Sequence, residues 1–303
     1  MHPLNILRST TALALSLAVC AAHAQPTGDG WRISAEAGAL HQWQSGIDDG
    51  GDLSVDAWAF RLGTSRALTS TLRAGLSAGV GQRNYSFTGN AGLGGSRPWS
   101  EVRDARLSAS FNWQASERWN VFAIPSVRWA AETGASLDDG RTGGLLAAAT
   151  YRFNDRLSIG PGFGVFSDLE ADADWFPILA VDWRITDRIS LRTARGFAAT
   201  RGPGLSLAWK ASDRWSFSLG GRYEKERFRL DDDGVAAGGV GQETGVPLYL
   251  SVTRSVGPDF SFSIIAGAKL GGQLRLEDDN GDLLEKSDYD TAPIAGATFD
   301  LRF

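Results

Sequence analysis

The groups in this chain best placed to do chemistry are cationic side chains at alternate positions. Arg32, Arg61, Arg73, Arg83, Arg106, Arg128, Arg152, Arg184, Arg192, Lys210, Arg222, Lys269, Arg275 and Arg302 each stand on the polar row of a segment that alternates apolar and polar residues. Glu36, Asp104, Asp182, Glu224, Glu226 and Asp300 share those rows. Rings of like charge tune the ion selectivity of a pore. Interleaved opposite charges instead stiffen a wall through ion pairs. Sequence alone leaves both readings open.

Covalent chemistry has fewer candidates. Beyond residue 24 the one histidine is His41, which would have to serve as general base to an unidentified nucleophile. Its parity puts it on an apolar row, where an interfacial role is the default account. Asp278, Asn280 and Asp282, with Gly281 beside them, have the alternate spacing of a calcium loop. Tyr289 occupies the place of the bidentate carboxylate such a loop requires. The run Asp231-Asp232-Asp233-Gly234 is incomplete in the same way. Gly160-Pro161-Gly162-Phe163-Gly164 lies inside a strand with no helix behind it, so it does not read as a phosphate loop. No catalytic residue, metal site or cofactor is expected.

The elements that position these groups are strands. Apolar residues make up 43% of the chain but are dispersed by alternation, and 37 Gly and 11 Trp accompany them. That mixture suits twisted strands with interfacial anchors. About fourteen alternating segments follow one another from Trp31 to Phe303. Short turns such as Ser116-Glu117-Arg118, Asn154-Asp155-Arg156, Thr186-Asp187-Arg188 and Ser212-Asp213-Arg214 alternate with long, Gly-rich acidic connections. These include Ser45–Leu53, Thr88–Pro98, Ala135–Thr142, Ser167–Asp174, Asp231–Thr244 and Glu277–Asp288; Ala199–Pro203 is short yet falls on the long-loop side. Such a layout predicts an all-β, antiparallel up-and-down transmembrane barrel. The net charge is −5 with no basic cluster, which argues against nucleic-acid binding.

Tryptophans test the barrel independently. Trp31, Trp113, Trp119, Trp183, Trp209, Trp215 and Phe303 fall on the short-turn rim, and Trp43, Trp99, Trp129 and Trp175 on the long-loop rim. From Trp119 to Trp129 the rise is roughly 33 Å at ~3.3 Å per residue. Tilted by ~40°, it projects to roughly 25 Å, the height of an apolar band. All eleven are predicted interfacial anchors. On the inward rows, Arg32, Arg61, Arg73, Arg106, Arg128, Arg152, Arg184, Arg192, Arg222, Lys269, Arg275 and Arg302 are predicted to line the lumen. A bulge near Thr193-Ala194-Arg195 could shift parity, and the loops Thr88–Pro98 and Asp231–Thr244 are candidates to fold in and occlude the channel.

The front of the chain sets an expected compartment. Residues 1–24 carry Arg8, an apolar run from Thr11 to Val19 and Ala22-His23-Ala24, the order of a secretory signal peptide cut before Gln25. A single barrel over 25–303 is then expected, and Cys20, the one cysteine, leaves with the signal. The terminal row Ala295, Ala297, Phe299, Leu301 and Phe303 resembles the closing strand of Gram-negative outer-membrane barrels. That resemblance implies recognition by the barrel-assembly machinery, with outer-membrane lipids and lipopolysaccharide as neighbours.

Four stretches carry a wider resemblance: Thr150–Leu157, Phe176–Trp183, Thr200–Leu205 and Arg227–Gly234. Together they resemble an uncharacterised family of proteobacterial outer-membrane β-barrel proteins. The resemblance implies fold and location, and carries no activity. The leading expectation is a non-enzymatic, porin-like barrel that passes small, anionic solutes. A closed structural or surface-binding barrel is second, and a lipid-modifying enzyme using His41 is third.

Overall fold

Alternation obliges each segment to place one face in an apolar and one in a polar medium, and a closed antiparallel sheet is how strands do this with no unpaired backbone edge. The computed structural model describes residues 30–89, 93, 97–193 and 204–303. Its strands run β1 (Arg32–Gly46), β2 (Asp52–Ala67), β3 (Leu72–Thr88), β4 (Glu101–Gln114), β5 (Trp119–Glu132), β6 (Arg141–Asn154), β7 (Leu157–Asp168) and β8 (Ala171–Arg184). They continue as β9 (Ile189–Thr193), β10 (Gly204–Lys210), β11 (Trp215–Arg222), β12 (Glu224–Arg229), β13 (Val240–Val256), β14 (Phe260–Glu277), β15 (Leu283–Tyr289) and β16 (Ala292–Arg302). Sequence neighbours pair from β1 to β11, β13 pairs with both β11 and β12, β14 pairs with β13, β15 and β16, and β1 closes on β16 from Ser34↔Arg302 to Gln42↔Ile294. Because β11 with β12, and β15 with β16, are broken halves of single crossings, the wall is a closed antiparallel barrel of 14 strands. The predicted bulge beyond Thr193 and the connection Ala199–Pro203 lie outside the described residues.

The short turns share a chemistry. Ser116 Oγ accepts from the backbone of Arg118 and Trp119, Thr186 Oγ1 from Arg188 and Ile189, and Ser212 Oγ from Arg214 and Trp215. A short polar side chain bonds the turning backbone in each case, which fixes the register of the next strand. Outside the wall, Leu76 and Leu250 are 65% and 63% exposed, and Leu107, Leu179 and Ile264 share that face. This apolar exterior on a closed barrel is what a bilayer requires.

At the long-loop end the barrel is not a simple cylinder. From Tyr223 the chain leaves the edge of β10, and β12 reaches across to β5, where Arg229 meets Ala131 in a parallel bridge. Above that point β1–β5 and β12–β15 close into a smaller ring, with β6–β8 standing beside it. Inside the ring Leu53, Val55, Tyr85, Phe87, Trp99, Val102, Phe228, Leu230, Leu274, Leu276 and Tyr289 form a packed apolar core. Leu93, within one of the loops expected to fold in, is buried in it.

Two expectations are corrected here. Trp99 is 2% exposed, packed against Tyr85, Phe87 and Phe228, and is no interfacial anchor, because the chain ahead of β4 turns into the ring. Arg275 does not face the lumen: Gly271, at φ 56°, and Gly272 lie opposite the single Gly245 as a bulge, so parity inverts beyond it. Leu274 and Leu276 therefore point into the core and Arg275 away from it.

Candidate functional site: the lumen

Under the apolar core lies a layer of ion pairs contributed by inward rows. Glu226 on β12 receives Arg83 at 2.9 Å and Arg128 at 2.5 Å, and Arg83 also lies 3.5 Å from Asp104. Arg106 stands beside Arg128, Glu226 and Asp104. Arg222 pairs with Glu224 at 2.5 Å. Glu243 accepts from Lys269 at 2.6 Å, Tyr289 at 2.7 Å and Tyr85 at 2.9 Å, so the two tyrosine hydroxyls join the apolar core to the charge layer. A buried carboxylate with three donors is satisfied, as a low-dielectric interior demands. This cluster accounts for Arg106, Arg128, Arg222 and Lys269 among the predicted lumen residues. It is a lattice of paired charge and not a ring of free cations.

Toward the short-turn end the pairing loosens. Arg61 meets Glu36 at 3.2 Å, and Arg192 meets Asp182 at 3.1 Å with both side chains more than half exposed. Arg184, Arg188, Arg192 and Lys210 line a cavity of about 330 Å³ together with Ser190 and Ser216. Lys210 binds Asp213 at 2.8 Å and holds that carboxyl below its usual range. Arg32, Arg73, Arg152 and Arg302 stand at the same end of β1, β3, β6 and β16. The basic character of the lumen is thus concentrated near one rim.

The inner wall of β5–β8 has a different chemistry. Registers Phe122↔Ala148, Ile124↔Leu146, Gly162↔Ile178 and Gly160↔Ala180 set one apolar row beside the next. Phe163 and Leu179, on the opposite parity, are exposed to the outside, which fixes the first set as inward. Phe166 lies over Gly144 and Phe176 over Gly164: an added Cβ would come within 2.0 Å and 2.5 Å of those rings. Glycine lets each aromatic ring lie flat against the wall.

Above this wall, between β12 and the β7–β8 hairpin, is a cavity of about 540 Å³ that includes Phe176, Lys225, Arg227 and Arg275 in its lining. Sequence reasoning missed β12's second face. Lys225, Arg227 and Arg229 occupy the row opposite Glu224, Glu226 and Phe228. Three bases in succession on a nominally lipid-facing row break the apolar pattern that a lipid-facing strand keeps. This was the available signal.

The expected anchors Trp31, Trp43, Trp113, Trp119, Trp175, Trp183, Trp209, Trp215 and Phe303 are exposed, and Trp129 is partly so, its Nε1 donating to Asp138 at 3.2 Å. His41 faces outward beside Trp43, with Nδ1 2.7 Å from Asp56 Oδ1. No hydroxyl bonds its ring among the described residues. Nor do those residues gather three or more His, Cys, Asp or Glu side chains at metal-binding distances.

No protein-family model and no curated protein matches the chain. Solved structures do. An outer membrane channel from Pseudomonas putida F1 superposes with a TM-score of 0.52 at 10% identity, over 92% of this chain and 97% of that one. A Pseudomonas aeruginosa FadL homologue gives 0.49 at 12% identity, over 89% of each chain. The Pseudomonas putida toluene transporter TodX gives 0.40 at 11% identity, over 91% and 90%. The first likeness is one of fold. With the apolar exterior and the closed wall, it defines the class: this chain is an outer-membrane β-barrel.

Proposed function

We propose that this barrel is a channel, not an enzyme, and that it passes small organic anions with an apolar body. The observation that carries the reading is the inward apolar wall of β5–β8 ending at the basic rim of Arg152, Arg184 and Arg192. An apolar body would slide along Phe176, Ile124 and Phe122, while its anionic group meets guanidinium at the short-turn end. The packed core of the upper ring closes the axial route, so passage runs off-axis, between β12 and β6–β8. The fold shared with an outer membrane channel accords with this. His41, paired to a carboxylate on the outer surface, gives no support to lipid chemistry.

Planar-bilayer recording with reversal potentials in a gradient of sodium benzoate, against acetate and benzylammonium chloride, tests the proposal. Benzoate should permeate best. A second reading, a closed structural barrel, is favoured by the packed core; a silent protein in bilayers and in liposome swelling would establish it over the channel.

A further inference from the structure

The basic row of β12 grips one hairpin. Lys225 Nζ bridges Asp168, at 2.8 Å, and Asp174, the residues at either side of the β7–β8 tip. Arg227 donates from Nε and Nη2 to the Leu169 carbonyl at 3.1 and 2.6 Å, and its guanidinium is anchored to Gln242 at 3.1 Å and Glu277 at 3.0 Å. Arg229 meets Glu170 at 2.5 Å. Asp168, Leu169, Glu170 and Asp174 are thus held from below. From above, the β14–β15 loop touches it: a Cβ on Gly281 would stand 2.4 Å from the Glu170 carbonyl oxygen. The tip roofs the 540 Å³ cavity over Phe176.

The grip is uneven. The Asp168 side chain is 2% exposed and that of Asp174 is 44% exposed, so one carboxylate is a fixed anchor and the other a contact that water reaches. Leu169 is buried beneath the tip. The tip is held chiefly by charge, and the water-reached contact to Asp174 is the part of the grip that opens at least cost.

We infer that the β7–β8 tip is a lid over the off-axis route, latched by Lys225 between Asp168 and Asp174. The inference rests on the channel reading for its purpose, but the latch is measurable without it. Lys225→Met removes the cation between the two carboxylates and frees Asp174, while Asp168 keeps Arg227 Nε at 3.3 Å; Lys225→Arg keeps a cation in the same gap. Asp172→Asn, which removes a mouth charge outside the latch, controls for changes in field alone.

Single-channel recording should show open probability raised about fivefold in K225M, the upper end of what a part-exposed ion pair contributes, with K225R close to wild type and D172N unchanged. Independently, Leu169→Cys in a Cys20→Ser background reports lid opening through labelling by a membrane-impermeant maleimide. Labelling should be slow in otherwise wild-type protein and faster in K225M. Equal labelling with and without Lys225 overturns the latch, whatever the conductance. Faster labelling in a barrel that never conducts keeps the latch and removes the channel reading. Faster labelling with unchanged open probability overturns the lid's role over the route.

Discussion

Trp99 stands edge-on to Phe228, ring centroids 5.4 Å apart, and through that contact the segment ahead of β4 is bound to the folded-in strand β12. Both side chains are almost fully buried. Truncating Phe228 to Ala removes the ring that both Trp99 and Tyr85 pack on, and a large-to-small change at such a site costs about 3–5 kcal/mol. The lower wall keeps its hydrogen bonds. We expect a lower urea midpoint for the upper ring with the barrel still migrating as folded on unheated gels, and a larger conductance through the loosened core. An unchanged midpoint would show that the aromatic cluster does not hold β12.

Glu226 is the shared acceptor of Arg83 and Arg128. Removing it as Glu226→Ala leaves two buried guanidinium groups short of a partner, which costs roughly 3–5 kcal/mol. The triple change Glu226→Met, Arg83→Met, Arg128→Met removes charge of both signs at once and should recover most of that loss. Urea titrations in detergent compare the two. Equal destabilisation by both would mean that packing, and not unpaired charge, sets the energetics of this layer.

These two predictions mark where sequence was informative and where it was not. The alternation of Leu62 with Arg61, or Leu219 with Ser218, reports a local property, the medium on each face, and is legible in one strand at a time. Trp99 carries the same residue type as the rim tryptophans, and only the inward turn of the chain before Glu101 distinguishes it. The β12–β5 contact joins Arg229 to Ala131 across the barrel, and nothing near either residue announces it. Gly271 is one of 37 glycines, and only its φ of 56° makes it the residue that inverts a strand. Parity sets Arg83, Arg106 and Arg128 on inward rows, but it misplaces Arg275 beyond the bulge and is silent on the lattice, since pairing depends on which strands face one another.

On the apolar wall, Gly164 lies under Phe176 with 2.5 Å between an added Cβ and the ring. Gly164→Ala should push Phe176 into the off-axis route at a cost of about 1–3 kcal/mol, the usual range for overpacking. Benzoate permeability should fall while acetate, which needs no apolar contact, is little affected. Loss of both in equal proportion would mean a general narrowing, not a disturbed apolar track.

At the basic rim, Lys210 holds the Asp213 carboxyl below its usual range through their hydrogen bond. The carboxylate therefore stays ionised, and offsets the lysine, at every pH above that lowered value; as pH falls through it, Asp213 protonates and Lys210 is left uncompensated. Anion preference should rise on acidification, and Asp213→Asn should show the acidic behaviour already at neutral pH. Arg192→Gln should move reversal potentials the other way. Reversal potentials indifferent to all three would remove the rim from selectivity.

Gly271 allows a sharper test of how the upper ring is built. Its positive φ places one extra residue in β14, so that Leu274 and Leu276 point into the core while Arg275 is turned out toward Glu277, 3.0 Å away. Gly271→Ala keeps the extra residue and has open space for its Cβ, so it should cost only the left-handed backbone penalty, about 1–2 kcal/mol. Deleting Gly271 restores strict alternation and drives Gln273 and Arg275 toward the aromatic cluster while both leucines turn out. A lone guanidinium among Tyr85, Phe87 and Phe228 is far costlier than the strain it replaces. The deletion should abolish the high-urea transition of the upper ring and raise conductance, with the alanine variant close to wild type. If both variants behave alike, strand parity does not govern the closed end of this barrel.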